Sequence, residues 1–258
     1  MDLNIGGLRV LVTAGAAGIG REIARAFIEE GARVHVCDVD AEALAALAHT
    51  DPAITRTLAD VSQRPAVRSL FDEAIAALGG LDVLVNNAGI AGPTGRVEEI
   101  HPEDWDRCVE ICLTGQFNCT RLAVPYLKQS ANASIVNLSS VAGRFGFSMR
   151  TPYAAAKWGV IGFTKSLAIE LGEFGIRVNA ILPGLVDGDR IRRVLEGKAQ
   201  AMGRSFAETQ DEALANVSLH TMVTARQLAD QILCLCSPRG RTISGQALSI
   251  CGDTQKLV

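Results

Sequence analysis

An α/β fold, with about seven parallel strands in one twisted sheet and helices on both of its faces, is predicted by three features of this sequence. Short β-rich runs alternate with longer stretches whose apolar residues recur every three to four positions, and such alternation requires crossover connections and therefore parallel pairing. The chain has 258 residues, 48% of them hydrophobic, which suffices for one sizeable core. No internal repeat, low-complexity tract or Pro/Gly/Ser-rich linker divides it, so residues 1–258 read as a single domain.

The β-rich runs are RVLVT at 9–13, RVHVC at 33–37, TRTL at 55–58, VLVN at 83–86, SIVNL at 134–138, RVNAIL at 177–182 and ALSI at 247–250. Helical spacing fills the intervals at 19–30, 41–48, 64–78, 102–129 and 152–174. The stretch 184–219 is irregular, mixing charged and small residues around helical patches at 190–197 and 208–216. An excursion leaving the carboxyl end of a strand is where such a fold places a substrate lid.

Composition excludes several classes of partner. A net charge of -3 with no run of Lys or Arg offers neither a nucleic-acid stripe nor a polybasic membrane patch. The seven cysteines are odd in number and lack paired CxxC spacing, so they read as reduced thiols rather than zinc ligands or disulfides. The start of the chain carries no signal-peptide pattern, and nowhere do eighteen apolar residues run together. The expected location is the cytoplasm.

Between the first strand and the first helix stands TAGAAGIG, bringing Thr13, Gly15, Gly18, Ile19 and Gly20 to a turn suited to a pyrophosphate. Glycines let backbone approach the phosphates, whose charge then faces the amides at a helix N-terminus. This makes the sheet a Rossmann-type, doubly wound one. The second strand runs into Asp38, about 20 residues on, where a carboxylate accepts hydrogen bonds from an adenosine ribose. Asp38 favours NAD over NADP, because neither Ala17 nor Val39 supplies a cation to offset a ribose phosphate. Read plainly, the same residues are a strand–helix turn and a strand-ending Asp.

The chemical signal is Tyr153 and Lys157, four residues apart and so on one helix face. Oxidising an alcohol removes its hydroxyl proton as hydride leaves carbon, which requires a base near neutral pH. A free phenol titrates too high, near ~10. An ammonium about 4 Å from a phenol, at an effective dielectric near 20, favours the phenolate by about 4 kcal/mol.

With Ser140 thirteen residues before Tyr153, these motifs together resemble the short-chain dehydrogenase/reductase family, from Gly7 to about Gly252. The resemblance implies Ser140, Tyr153 and Lys157 as the catalytic group. It also implies cofactor contacts from Asp60 and Val61 after the third strand, from Asn87, Ala88 and Gly89 after the fourth, and from Pro183, Gly184 and Val186 after the sixth. Homo-oligomers through the long helices and the C-terminal strand are implied as well, and Trp158 and Phe163 are candidates for that surface. Three positions depart from the family: Ala14 where a Gly is usual, Gly188 where a Thr is usual, and Cys112 where an Asn is usual.

For the substrate, Arg144, Arg150, Arg190, Arg192 and Arg193 place guanidinium groups on segments around the expected site, where they suit an anionic group or are solvated surface charges. Phe145, Phe147 and Met149 alternate with the first of them and could equally wall a neutral ketone. The sequence therefore reads as an NAD-dependent oxidoreductase for the secondary alcohol and ketone of a small hydroxy compound, anionic or neutral. An NADPH-dependent ketoacyl or ketone reductase, a non-catalytic NAD-binding protein and a structural subunit are the rivals, the binding-protein reading kept open by Cys112 and Gly188.

Overall fold

All seven runs become strands of one parallel sheet in the computed structural model, which describes residues 2–257. The strands are β1 (Arg9–Thr13), β2 (Arg33–Asp38), β3 (Thr55–Leu58), β4 (Val83–Asn86), β5 (Ser134–Leu138), β6 (Arg177–Pro183) and β7 (Ala247–Ile250). Their order is β3-β2-β1-β4-β5-β6-β7. Every residue of β4, β5 and β6 is buried, as a parallel sheet covered on both faces demands, whereas three of the four β3 residues at one edge are exposed.

Side-chain alternation divides the strands between two cores. Val10 and Val12 face Ile23, Ala24 and Phe27 of α1 (Gly18–Glu29), with Leu44 and Leu47 of α2 (Ala41–Thr50) beside them. Leu11 turns to the opposite face. There it meets Val67, Leu70 and Phe71 of α3 (Arg64–Leu78), Cys119 and Ala123 of α5 (Gly115–Leu127), and Leu167 and Leu171 of α6 (Thr151–Gly172).

The expected helix over 102–129 is interrupted. It comprises α4 (Pro102–Val109), a π-helical segment Glu110–Thr114, and α5. The widened turn brings Gly115 so close to Val61 that a Cβ there would lie 2.6 Å from the Val61 Cγ2, a contact that apolar periodicity does not encode. The excursion after β6 forms α7 (Asp189–Met202) and α8 (Phe206–Ala215), each longer or shifted relative to its sequence patch. A further helix, α9 (Ala225–Cys236), packs on α1 and is closed by a Thr224–Gln227 capping box, a signal the sequence reading did not use. Among the described residues no helix is long and apolar enough to cross a membrane.

The β2–β3 edge carries a buried histidine. His35 Nδ1 lies 2.9 Å from Thr55 Oγ1 and Nε2 lies 3.0 Å from Thr57 Oγ1, and Thr57 in turn donates to Glu73 at 2.5 Å. Burial opposes the charged imidazole and pushes its pKa down to about 4, against a weaker opposite pull from Glu73. The unfolded chain therefore takes up this proton first, near the ordinary pKa of about 6.5. Stability contributed by neutral His35 is present above that pH and is lost progressively as pH falls toward 4, by about 3 kcal/mol. Chemical denaturation of His35→Gln between pH 7 and 4 should show a shallower decline than the parent; identical slopes would contradict the assignment.

Candidate active site

Strand order reverses at β1, so the carboxyl ends of β1 and β4 diverge into a crevice, the place where open α/β sheets bind ligands. The Thr13 hydroxyl ties the two ends together by accepting from the backbone N–H groups of Asn87 (3.0 Å) and Ala88 (2.9 Å). Asn87 Nδ2 returns two bonds, to the carbonyls of Thr13 and Ala14, each 3.0 Å.

The glycine turn leaves no room for side chains on its inner side. A Cβ on Gly20 would stand 2.1 Å from the Ala14 carbonyl oxygen, and one on Gly15 would stand 2.6 Å from Val36 Cβ. Gly18 is exposed, at φ +53° with open space around it, and Ile19 follows half-buried. The N-terminus of α1 has no side-chain cap and no acidic residue in its first turn, so its N–H groups suit an anion. Ala14, at the usual glycine position, holds φ +51°, a left-handed conformation that costs an Ala about 1 kcal/mol. The residues present fit a dinucleotide pyrophosphate.

Asp38 borders this turn. Its Oδ2 accepts from Ala16 N–H at 3.1 Å, and its Oδ1 from Val39 and Asp40 N–H at 2.8 and 3.2 Å. Val61 accepts from Asn118 Nδ2 at 3.0 Å, and Asp60 holds Ser62 through bonds of 2.9 and 2.7 Å. At the end of β6, Pro183 is buried, and a Cβ on Gly184 would lie 2.7 Å from Cys251 Cβ. Val186 pairs as a bridge with Val223. Gly188 caps α7 at φ +143° and ψ 178°, a region reached almost only by Gly, so a Thr would be strained there.

The start of α6 is stapled to the end of β5. Buried Lys157 donates from Nζ to the Leu138 carbonyl at 2.7 Å, and Ser139 Oγ donates to the Lys157 carbonyl at 2.7 Å. Ser140 follows, half-buried, its Oγ accepting from Ala142 N–H at 3.1 Å. Tyr153 is also half-buried, with Lys157 Nζ 5.6 Å from its ring centre. Gly89 comes close to Lys157: a Cβ there would lie 3.4 Å from Nζ and 3.5 Å from Cys112 Sγ. The arrangement sets a hydroxyl, a phenol and an ammonium beside the crevice, as proton transfer at a substrate oxygen requires.

A model of the short-chain dehydrogenases matches residues 9–199. The chain is 34% identical to the 3-oxoacyl-acyl-carrier-protein reductase of Thermotoga maritima, an alignment covering 97% of this chain and 98% of that one. The chain belongs to the short-chain dehydrogenase family. Among solved structures, a variant actinorhodin polyketide ketoreductase with NADPH is 34% identical at a TM-score of 0.91, covering 96% of this chain and 97% of its own. An NAD+-bound xylitol dehydrogenase superposes with a TM-score of 0.92 at 26% identity, covering 96% of this chain and 99% of its own. This short-chain dehydrogenase is accordingly an NAD(P)-dependent oxidoreductase acting on CH–OH groups or the matching ketones.

Cys112 lies in the π-helical segment, fully buried, its Sγ donating to the Ile90 carbonyl at 3.4 Å. A hydrogen bond from Cys108, one turn away, and the Lys157 ammonium draw its pKa down against burial, while Cys108 is pushed up by the same pairing. Sequence proximity shows no cation beside Cys112, because Lys157 arrives from a different helix.

The five candidate arginines separate. Arg150 is buried and donates from Nη2 to the Ala91 carbonyl, and Arg190 reaches the Gly89 carbonyl at 3.1 Å. Arg144 is exposed, 3.5 Å from Ser249 Oγ, and Arg193 bonds the Asp189 carbonyl of its own helix. Arg192 is exposed. Two further residues escape the sequence reading: Lys198, just beyond the patch at 190–197, and Gly143. A Cβ on Gly143 would lie 2.5 Å from Ser139 Oγ and 2.6 Å from the Lys157 carbonyl. Gly143→Ala should therefore displace α6 and cut kcat about 100-fold, as misplacement by about 1 Å does; a variant with parental kcat would show that the staple does not set the catalytic geometry.

Proposed function

We propose that this short-chain dehydrogenase uses NAD to oxidise the secondary alcohol of a small hydroxy compound to a ketone, or runs the reverse reaction. The observation that carries the cofactor choice is Asp38, whose carboxylate borders the glycine turn through Ala16 N–H. A ribose phosphate would meet like charge there. The nearest guanidinium groups of α1, Arg21 and Arg25, are already engaged by Asp51 at 2.8 and 2.7 Å, so they are poorly placed to offset it.

Thr13, Gly15, Gly18, Ile19 and Gly20 would hold the pyrophosphate, Asp38 the adenosine ribose, and Asp60 with Val61 the adenine. Asn87, Ala88, Gly89, Pro183, Gly184 and Val186 would line the nicotinamide side. When bound, the oxidised nicotinamide supplies two-electron acceptor chemistry. In this reading Tyr153 Oη takes the substrate hydroxyl proton, Ser140 Oγ orients the same oxygen, and the buried Lys157 ammonium stabilises the developing phenolate. The excursion 184–219 covers the substrate, a role supported by the Arg190 bond to Gly89. Exposed Phe117, Trp158 and Ile169 support association of copies through α5 and α6, whereas Phe163 packs against the core.

The polyketide ketoreductase carries NADPH and the reductase names point to the reverse direction, so cofactor preference and turnover are tested separately. Calorimetric titration should show NAD binding at least 10-fold tighter than NADP, and Tyr153→Phe should keep that binding while losing at least 100-fold in kcat. Preference for NADP would overturn the Asp38 argument, and near-parental turnover by Tyr153→Phe would overturn the proton-transfer assignment.

A further inference from the structure

A cluster of cations without a counter-charge adjoins the site. Arg150, at the N-terminus of α6, is 2% exposed, with its guanidinium carbon 5.4 Å from the Tyr153 ring centre and 5.3 Å from that of Phe147. Lys198 of α7 is 4% exposed, and its Nζ lies 4.5 Å from the same Phe147 ring. Both buried cations thus lie within about 5 Å of the Phe147 ring centre. Arg190, exposed at the start of α7, donates to the Gly89 carbonyl at 3.1 Å.

Among the described residues, no carboxylate forms an ion pair with any of the three. Arg150 spends one N–H on the Ala91 carbonyl, and its Nε is buried with no hydrogen-bond partner. Burial and the repulsion of Arg150 push the Lys198 pKa down to about 8, with Glu212 pulling weakly the other way. Glu212 itself is paired with Arg204 at 2.5 Å. Burying unpaired charge is costly, and native interiors ordinarily pair such groups. The preceding backbone is also held away from its relaxed form, with Met149 at φ +62° just where the chain turns Arg150 inward.

We propose that Arg150 and Lys198 form an anion subsite that receives a carboxylate of the substrate, so that this dehydrogenase acts on hydroxy acids and keto acids. The assignment rests on the oxidoreductase reading above and specifies its substrate. A carboxylate presents two oxygens, one for the unused N–H groups of the Arg150 fork and one for the Lys198 ammonium. Because Lys198 belongs to the excursion and Arg150 to α6, the bound acid would bridge the two elements beside Tyr153, and the Phe147 ring would pack on its carbon skeleton. Arg150 and Lys198 are substrate-binding and specificity residues in this scheme.

Calorimetry on the whole protein, with and without NADH, would compare acetoacetate, levulinate and 4-oxocyclohexanecarboxylate with their methyl esters. At least one acid is expected to bind roughly 10- to 100-fold tighter than its ester, the range for charge-assisted bonds. Arg150→Met and Lys198→Met should each collapse that ratio, and Arg150→Lys should restore part of it. Circular dichroism identifies any variant that fails to fold, and Lys198→Met, which breaks no hydrogen bond, then carries the test alone. Equal binding of acid and ester, no binding of any acid, or discrimination that survives Lys198→Met would overturn the subsite. Acid binding without NAD reduction by any matching hydroxy acid would instead count against the oxidoreductase reading and leave the subsite standing.

Discussion

The buried Lys157 ammonium and the Leu138 carbonyl, 2.7 Å apart, tie the start of α6 to the sheet. A charge-assisted bond of this kind, made where water is excluded, is stronger than a neutral one and leaves the long side chain in one conformation. Ser139 closes the same junction from the opposite direction, and Gly143 permits it by lacking a Cβ. The end of β5 and the first turns of α6 therefore move as one body. Ser140, Tyr153 and Lys157 lie on the two sides of this junction, so their relative positions follow from it and do not depend on the mobility of a loop. Gly89 completes the fit by admitting both Lys157 and Cys112 to the space above β4.

Charge is distributed unevenly around that junction. Asp38 stands beside the glycine turn, while Arg150 stands near Tyr153, Lys198 near Phe147 and Arg190 at the Gly89 carbonyl, none of the three in an ion pair among the described residues. The proposed preferences for NAD and for an acid substrate rest on this separation of charge. The two ends are built from different structural units, the β1–β2 half and the excursion after β6.

The sheet was legible because parallel strands buried on both faces read as short, nearly continuous apolar runs: VLVN and SIVNL need no partner information to be recognised. Tyr153 and Lys157 were legible because one helical turn fixes their spacing. What the sequence concealed depends on contacts between distant segments. The π-helical segment Glu110–Thr114 leads into Gly115, whose close approach to Val61 joins residues more than fifty positions apart. The surroundings of Cys112 depend on Lys157, forty-five residues later, and the separation of Arg150 from Arg144 depends on which one Met149 turns inward. Lys198 was missed because its patch appeared to end at Gly197, although two helical turns from Arg190 would have placed the pair on one face.

The most direct test of the account is the rate at which the purified protein reduces NAD, followed by nicotinamide absorbance, across hydroxy acids, polyols, sugars and neutral cyclic alcohols. The account predicts steady formation of reduced NAD with at least one secondary alcohol, fastest among the hydroxy acids. Tight NAD binding with no turnover on any of these alcohols would contradict it and would make this chain a cofactor-binding member of its family.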